Sequence, residues 1–593
     1  MRFNKKYLFL ISFLFVPAFI NNAIMAQNAG MNMDSLDNYR EKLLIIPDRD
    51  IYITGEKVWL KVFKMDGLTC LPADISKVIY VELLDNQNNP LNQIKIRADV
   101  TSGSGVFRLS DTLSSGNYLL RAYTSWMQNF SEDLFAYRTI TVINPFKNLR
   151  DLVAPASGQI SETSIINSEY NDPVCGKTQK DHIIIKTSLD KNKYATRDKV
   201  VAEISVSGDD GNPLKADFSV AVVKSFLAGA DHNYLTSGPS YQGTNNNQRD
   251  YTSHLPELEG ELIRGVIFNK TTNEPLKKTD ISLSLVGQTA RCQFSRTNEK
   301  GEFIFVVKDL SGLNEIVIQP LVPDIAGSYV ELDQPFCDTY NGIRLPEFSI
   351  DSSLAEKINN AVISMQVNNI YEQDREKNYD TLSVEMHDFF GESVRTIKLA
   401  DYIELINIRE VVKEILPEVV SFRKDGKPAL KVVSNNNYQI FQNPALVLFD
   451  GVPVYDIDKL LEVNAKELDR IEIITSRYFY SDYLFEGIIS FVSKEGNLSA
   501  IESDNSVFRQ VYEGCLNHED LYSPDYSIDA KKLRRIPDFR NTLYWNPDVA
   551  TKENGSAEVA FYTSDEETEY SIIIEGMTSQ GIRVHSVTPL IVN

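Results

Sequence analysis

From residue 41 onward the chain is a succession of short apolar runs separated by polar turn residues. Residues 58–63, 78–84, 93–98, 105–109, 117–123 and 137–142 are rich in Val, Ile, Tyr, Phe and Leu. Between them lie Thr54-Gly55, residues 86–90, 102–105 and 114–117, all turn-forming in composition. Runs of this kind predict β-strands, and several of them within ~100 residues predict an antiparallel sandwich over 41–146. Part of the pattern then repeats. Asp50, Tyr52, Gly55, Glu56, Lys57 and Val58 are echoed by Asp190, Tyr194, Arg197, Asp198, Lys199 and Val200. The second copy runs out near Phe226, after ~50 residues, which is half of a sandwich of ~100. Its apolar sheet face therefore needs a partner from elsewhere.

Residues 227–258 hold Gly, Ser, Asn, Gln and Asp with little periodicity and read as a linker. Strands return at 265–267, 281–286, 301–307 and 316–318. Leu354, Ile358, Ala361, Val362, Met365, Ile370 and Tyr371 then approximate helical spacing over 353–376, with Asp351 or Ser352 as the N-cap. A second helix is expected over 404–414, ended by Pro417, and a third over 456–463. Residues 445–449 and 452–455 flank Asp450-Gly451, a two-residue hairpin signal. Further strands are expected at 470–475 and 487–493.

Composition narrows the class. With 60 Lys+Arg against 82 Asp+Glu the net charge is −22, which argues against a nucleic-acid partner, because phosphate binding needs concentrated Lys and Arg. Residues 1–26 read as a signal peptide. Arg2, Lys5 and Lys6 precede an apolar run over 7–20, and Ala23 and Ala26 have the small-residue spacing for cleavage before Gln27. An uncleaved anchor is the competing reading, but the run is shorter than the ~20 residues of a membrane span. No later stretch is apolar enough to span, so no transmembrane segment is expected in the mature chain. The five cysteines, Cys70, Cys175, Cys292, Cys337 and Cys515, are widely spaced and odd in number. That spacing gives no disulfide framework and no CxxC metal knuckle, and leaves at least one unpaired within the chain.

Several ordered blocks resemble known families. Tyr52-x-x-Gly55-Glu56-x-Val58-Trp59, Tyr80-Val81-Glu82-Leu83 and Gly116-Asn117-Tyr118-x-x-Arg121-Ala122-Tyr123-Thr124 resemble the macroglobulin-type β-sandwich of exported Gram-negative proteins. Gly265, Pro275-Leu276 and Asn298-x-x-Gly301-x-Phe303-x-Phe305 resemble the carboxypeptidase regulatory-like sandwich. Residues 446–493, centred on Phe449-Asp450-Gly451-Val452-Pro453-Val454, are similar to the plug domain of TonB-dependent receptors. In the tail, Asp538-Phe539-Arg540-x-Thr542-Leu543-Tyr544-Trp545 and Gly555-x-Ala557-x-Val559-x-Phe561 resemble the closing half of an alpha-macroglobulin sandwich split by an insertion. Two halves of ~50 residues each leave an apolar face in water, and joining them buries both.

The expected fold is therefore mainly β and multidomain: macroglobulin-type and regulatory-like β-sandwiches plus one α/β plug-like domain. The expected order is a signal peptide (1–26), a macroglobulin-type sandwich (41–146), a linker (147–179) and the first half of a split sandwich (180–228). A linker (229–258), a regulatory-like sandwich (259–345), a helix with the plug-like domain (346–500), a linker (501–536) and the second half of the split sandwich (537–593) follow.

Candidate chemistry is sparse. The 93 residues after position 500 leave no room for a receptor barrel, which needs at least eight spans of ~9–11 residues. The resemblance to alpha-macroglobulins implies a Cys-Gly-Glu-Gln thioester in many members, but the chain's Cys175-Gly176 continues as Lys177-Thr178. There is no HExxH helix, no GxSxG elbow and no phosphate loop. Asp231-His232 and 518–520 read as solvated loops, and 85–89 and 209–212 as tight turns rather than calcium loops. No catalytic residue, metal or cofactor is expected. Tyr478, Phe479, Tyr480, Tyr483 and Phe485 form an aromatic cluster, of which Tyr478, Tyr480 and Tyr483 are the candidate contact surface for a protein partner or a glycan; cross-strand packing is the alternative. The expected function is that of a non-enzymatic exported cell-envelope protein, periplasmic or outer-membrane-associated in a Gram-negative bacterium. It would bind or scaffold an envelope protein, an outer-membrane protein of a transport or assembly system among the candidates. A protease-trapping macroglobulin relative without thioester, and a glycan-binding accessory to nutrient uptake, are the competing readings.

Overall fold

The computed structural model describes residues 40–147 (except 131), 183–229, 253–321, 327–340, 354–371, 387–501 (except 394, 403, 425, 436 and 437), 507–527 and 536–593, with 343, 345 and 348 as single positions. The expected signal peptide, nearly all of the 147–179 linker and most of the 229–258 linker lie outside the described residues. The chain is mainly β and multidomain, and divides into two units. One comprises residues up to 258, 336–381 and 516–593; the other comprises 259–335 and 382–515. No helix among the described residues is long and apolar enough to cross a membrane.

In the first unit, β1 (Glu41–Pro47), β2 (Ile51–Ile53), β3 (Lys57–Asp66), β4 (Val78–Leu84), β5 (Pro90–Arg97), β6 (Ser102–Arg108), β7 (Gly116–Tyr123) and β8 (Ala136–Ile143) make a sandwich. Its sheets are ordered β1-β3-β6 and β2-β8-β7-β4-β5. β9 (Ile184–Leu189), β10 (Lys199–Ser207) and β11 (Ala216–Lys224) follow.

The second unit opens with β12 (Glu261–Asn269), β13 (Asp280–Leu285), β14 (Arg291–Arg296), β15 (Glu302–Val307), β16 (Leu313–Pro320) and β17 (Ser328–Leu332). After a return to the first unit for α1 (Ala355–Ile370), it resumes with β18 (Arg395–Lys398), α2 (Ile408–Glu414), β19 (Val419–Lys424), β20 (Lys427–Val432), β21 (Leu446–Phe449), β22 (Val452–Pro453), α3 (Ile457–Glu462), β23 (Leu468–Tyr480), β24 (Tyr483–Ser493) and β25 (Phe508–Glu513). β26 (Thr542–Ala550), β27 (Ser556–Tyr562), β28 (Glu569–Thr578) and β29 (Arg583–Ile591) belong again to the first unit.

The tail pairs with β9–β11. One sheet runs β27-β10-β9 and the other β26-β11-β28-β29. In the first, burial alternates: Val200, Ala202, Ile204 and Val206 of β10 and Ala557, Val559 and Phe561 of β27 point inward, while the residues between them are mostly exposed. In the second, β11 and β28 are buried on both faces. Phe218, Val220 and Val222 meet Ile572 and Ile574 in the sandwich core. Ala221, Val223 and Ile573, on the reverse, pack with Trp59 and Val106 of the first sandwich. A sheet covered on both sides reads as a continuous apolar run, whereas a half-solvated one alternates. Gly576 lies opposite Phe218, where an added Cβ would stand 2.2 Å from the Asp217 carbonyl oxygen, so only glycine permits this register.

A buried polar seam joins the first sandwich, α1 and β26. Asp48 accepts hydrogen bonds from the Tyr52 hydroxyl (2.7 Å), the Trp59 N–H (3.2 Å) and the Thr542 hydroxyl (2.9 Å). Arg49 donates to Thr542 Oγ1 (2.7 Å) and to Glu56 (2.6 Å). Asn541 donates to the other Glu56 oxygen (2.6 Å) and to the Ala361 carbonyl of α1 (3.0 Å). Burial pushes the Asp48 carboxyl above its ordinary range, against the pull of Arg49 and the donated hydrogen bonds.

Within the internal echo only the aspartate shifts: the counterpart of Asp190 is Asp48, two residues before Asp50, while the other pairs keep their register. Asp190 accepts from Tyr194 (2.7 Å) and from the Val201 N–H (2.9 Å), just as Asp48, not Asp50, accepts from Tyr52 and Trp59. Gly55 and Arg197 both take positive φ, 83° and 55°. Asp50 is engaged instead with Arg138, at 2.6 Å.

Three more expectations are corrected. α1 does not belong with the plug-like segment: its Ile358, Ala361, Val362 and Met365 face pack on Ile53, Ile143 and Leu227 of the first unit, and Ile370 is exposed. Asp351 and Ser352 lie outside the described residues. The helix expected from 404 begins at Ile408, because the Asn407 side chain caps it by accepting from the Glu410 N–H. The 501–536 segment is not all linker, since β25 pairs with β16 and brings Phe508 and Tyr512 against the core of β12–β17. Cys70 is disulfide-bonded, whereas Cys292, Cys337 and Cys515 are buried thiols.

In the second unit the sheets β15-β12-β17 and β14-β13-β16-β25 face each other. The remaining strands form β18-β23-β24-β21-β22 and the hairpin β19-β20, covered by α2 and α3. Asp450 and Gly451 take φ of 46° and 80°, the left-handed pair that a tight hairpin demands. The fully buried Asp450 carboxylate accepts from the Ser493 N–H (2.7 Å), the Ser493 hydroxyl (2.8 Å) and the Leu498 N–H (2.9 Å), locking β24 to the turn.

Two predictions follow from the seam and the shared sheet. Val222 and Ile572 are paired across β11–β28, so a double-mutant cycle with Val222→Ala and Ile572→Ala should show coupling of about 0.5–3 kcal/mol in urea unfolding of the first unit; strict additivity would contradict the register. Asp48, with its folded pKa raised, binds more protons when folded between its ordinary and its raised value. Its contribution is therefore complete below the ordinary value and is lost as pH climbs through the raised one. The stability deficit of Asp48→Asn should narrow as pH rises from about 4 to 7, measured as the difference in urea midpoints.

Candidate functional site

The aromatic cluster lies on the hairpin of β23 and β24, closed by Ser481-Asp482 with Ser481 at φ 49°. The register pairs Arg477 with Glu486, Tyr478 with Phe485, Phe479 with Leu484, and Tyr480 with Tyr483. Strand alternation therefore divides the cluster between two faces.

Tyr478, Tyr480 and Tyr483 share one face with Phe485 and are half-buried there. Phe294 of β14 stands at the centre, with ring centroids 5.2 Å from Tyr480, 5.7 Å from Tyr483 and 4.9 Å from Phe485. Phe389 meets Tyr478 edge-on at 5.7 Å, and its carbonyl accepts the Tyr478 hydroxyl at 2.5 Å. The Tyr483 hydroxyl donates to Asp280 at 3.1 Å. Burial raises all three phenol pKa values, Tyr480 to about 12, and the Asp280 hydrogen bond adds to the rise at Tyr483. These ring contacts bring the three tyrosines into the packing between β14 and the hairpin.

The opposite face is open. Phe479 is 69% exposed and its cross-strand neighbour Leu484 50%. Beside them Arg477 donates to Glu486 at 2.9 Å and lies 5.9 Å from the Phe441 ring, while Glu486 accepts the Asn443 N–H at 2.8 Å. Those contacts bring the 438–443 loop alongside, carrying Tyr438 (86% exposed) and Ile440 (51%). Sequence reasoning singled out the cluster and named the inward-facing tyrosines. Assignment of faces required the register, because a slip of one residue exchanges them.

Among the described residues the other candidates hold no converging chemistry. Asp85 accepts from the Gln87 and Asn89 N–H groups (both 2.8 Å), and Asp210 from the Asn212 N–H (3.0 Å), as turn-closing side chains do. His518 and Asp520 stand 3.0 Å apart on the surface, and Glu519 is paired with Lys57 at 2.5 Å. Asp231-His232 lies outside the described residues. Among the described residues there is no group of three or more His, Cys, Asp or Glu able to hold a metal. Burial pushes the Cys292 thiol up to about 12, far from a reactive thiolate.

No protein-family model matches the chain, and no curated protein does. Among solved structures, alpha-2-macroglobulin of Salmonella reacted with methylamine aligns at 9% identity and a TM-score of 0.23, over 94% of this chain and 40% of that one. Escherichia coli alpha-2-macroglobulin activated by porcine elastase aligns at 9% identity and 0.23, over 93% and 44%. The native conformation of the E. coli protein aligns at 9% and 0.24, over 94% and 40%. The chain thus spans less than half the length of these structures. Superpositions this loose do not transfer an activity.

The two faces of the hairpin predict opposite mutational outcomes. Phe294→Ala should cost the second unit about 3–5 kcal/mol, as loss of a buried ring does, whereas Phe479→Ala should stay within about 0.5 kcal/mol. Urea unfolding of the two variants checks this.

Proposed function

We propose that the chain is a non-enzymatic exported cell-envelope protein that binds a protein partner through the open face of the β23–β24 hairpin. The observation that carries this reading is the pairing of Phe479 with Leu484 on a face that no other described part of the second unit covers, next to the exposed Tyr438 and Ile440. Exposed aromatic anchors rimmed by a charged pair, here Arg477 and Glu486, are the composition of a protein-recognition patch rather than of an inert surface. In this reading 41–146 and the joined segments 180–228 and 537–593 are macroglobulin-type sandwiches. β12–β17 with β25 form the regulatory-like sandwich, and 395–501 the plug-like domain. The partner is an envelope protein, an outer-membrane protein among the candidates. The glycan reading loses its main support, since the rings on which a sugar would stack are engaged with Phe294 and Phe389.

A photo-crosslinking residue at position 479 tests the reading in intact cells, with the same residue at Val100, exposed in the first unit, as control. One dominant crosslinked species is expected at 479, absent at 100 and abolished by Leu484→Asp. Equal labelling at both positions, or none at 479, would overturn the proposal.

A further inference from the structure

Residues 336–340 pack against a buried arginine of the first sandwich. Arg121 of β7 is essentially fully buried, as is Glu82 of β4, which accepts from Arg121 Nε at 2.7 Å. The guanidinium has Tyr123 and Phe135 as aromatic neighbours, at 5.3 and 5.7 Å to the ring centroids. Two further N–H groups point at residues 336–340, where the chain crosses back into the first unit, and the Glu132 carboxylate stands 3.7 Å from Nη1. Arg121 donates to the Cys337 carbonyl (3.2 Å) and to the Thr339 carbonyl (2.8 Å). The Cys337 N–H donates to the Tyr123 hydroxyl at 2.8 Å. Phe336 meets Tyr80 edge-on at 5.4 Å, and the Tyr340 ring lies 4.3 Å from the guanidinium.

The chemistry of this clamp is that of a peptide receptor. Three of its contacts read backbone atoms, and the two carbonyls belong to alternate residues, as on one edge of an extended segment. Two aromatic side chains four positions apart, Phe336 and Tyr340, meet the groove, and the Cys337 thiol is buried beside them. Asp338 and Thr339, between them, are exposed. Glu82 fixes the fork of Arg121 independently of residues 336–340, so the donors are positioned in advance for carbonyl acceptors. An arginine this deeply buried needs those acceptors: without a strap, Nη2 would lose the Cys337 carbonyl and Nη1 would keep only the Glu132 carboxylate at 3.7 Å.

The geometry points to a docking groove for an extended peptide with aromatic residues at positions i and i+4, filled in cis by residues 336–340 as a tethered ligand. A tether of this kind holds its site at an effective concentration in the ~mM range, so a free peptide enters only when the strap is weakened. The site is separate from the β23–β24 hairpin and does not depend on the function proposed for it.

The test weakens the strap and leaves the groove intact. Phe336→Ala/Tyr340→Ala should bind a fluorescein-labelled peptide with the sequence of residues 334–342, Ser replacing the cysteine, at least about tenfold more tightly than wild type does, because the internal competitor is disabled. Adding Tyr123→Phe, which keeps the ring and removes the acceptor for the peptide N–H, should weaken that binding several-fold, and a scrambled peptide should not bind. Fluorescence anisotropy reads the affinities, and a cooperative thermal transition verifies the fold; should the double variant unfold, Tyr340→Ala alone supports the same comparison. A folded strap variant that binds no more tightly than wild type, or that binds the scrambled peptide equally well, would overturn the inference.

Discussion

The first unit depends on one strand finding neighbours more than 300 residues away. β11 lies between β26 and β28, and none of its own sequence neighbours can replace them, because β9 and β10 belong to the facing sheet. A nine-residue strand buried on both faces has no stable existence alone. The residues between 224 and 542 must therefore leave the sandwich and return to it, and on the way they build the second unit and α1 of the first. Inside that excursion the device recurs: β25 returns after β18–β24 to complete the sheet of β13, β14 and β16. The architecture is one insertion nested in another.

The surface where β26 meets the first sandwich divides the labour between apolar and polar groups. Trp59, Val106, Ala221, Val223, Trp545 and Ile573 supply area. Such contact is non-directional and would tolerate a slip. The network of Asp48, Arg49, Glu56, Asn541 and Thr542 would not, since each slip would leave a buried charge without its partner. A buried ion pair gives little net stability over an apolar replacement, but breaking one is costly, about 3–5 kcal/mol. Lys61 acts similarly nearby: fully buried, it donates to the Pro547 carbonyl (2.5 Å) and to Asp217 (2.8 Å). The comparison with the second copy is instructive. Asp190 makes the same local bonds to Tyr194 and Val201 but has no counterpart of Thr542. Although burial opposes it, those hydrogen bonds hold its carboxyl below the ordinary range, the opposite of Asp48. One local motif serves as a turn-closing bond in one sandwich and as part of a docking surface in the other.

Six of the eight strands of the first sandwich could be read from the sequence, because apolar runs bounded by Gly, Asn and Ser describe strands wherever they pair; β1 and β2 were missed, and 102–105, expected as a turn, opens β6. The Asp450-Gly451 hairpin was legible for the same reason, since few residue pairs accept two positive φ values. What depended on distant partners was less accessible. The α1 periodicity gave a helix with a buried face, but nothing in it said that Ile53 and Leu227, rather than β18–β24, would cover that face. β25 was hidden because Phe508, Val511 and Tyr512 are too sparse to signal a strand without β16 beside them. At the candidate site the aromatic run was visible, but its division into an inward and an outward face was not. Arg121 and Glu82 appeared only as conforming positions in a sandwich motif; their clamp on residues 336–340 joins segments more than 200 positions apart, which no local pattern reports.

Magnitudes decide whether such nested closure is affordable in entropy. Closing a flexible loop of about 300 residues costs on the order of 5 kcal/mol by the logarithmic law, and halving its length changes that by only about 0.6 kcal/mol. Folding of the insertion shortens the effective loop and lowers the cost further. Against it stand Val559, Phe561, Ile572 and Ile574, all buried in the joined core. At about 1.5–3 kcal/mol each, these four alone outweigh the closure. The second closure has less reserve. β25 brings only Phe508 and Tyr512 to its sandwich, both partly buried, while Val511 faces outward at 61% exposure. Its attachment leans on ladder hydrogen bonds, on the Tyr512–Glu261 bond at 2.5 Å and on the ion pair of Arg509 with Glu315, and a pair that solvent-accessible contributes at most about 1 kcal/mol. The outer insertion is thus held by core burial and the inner one by backbone pairing. Local opening should begin at β25 and leave the split sandwich closed.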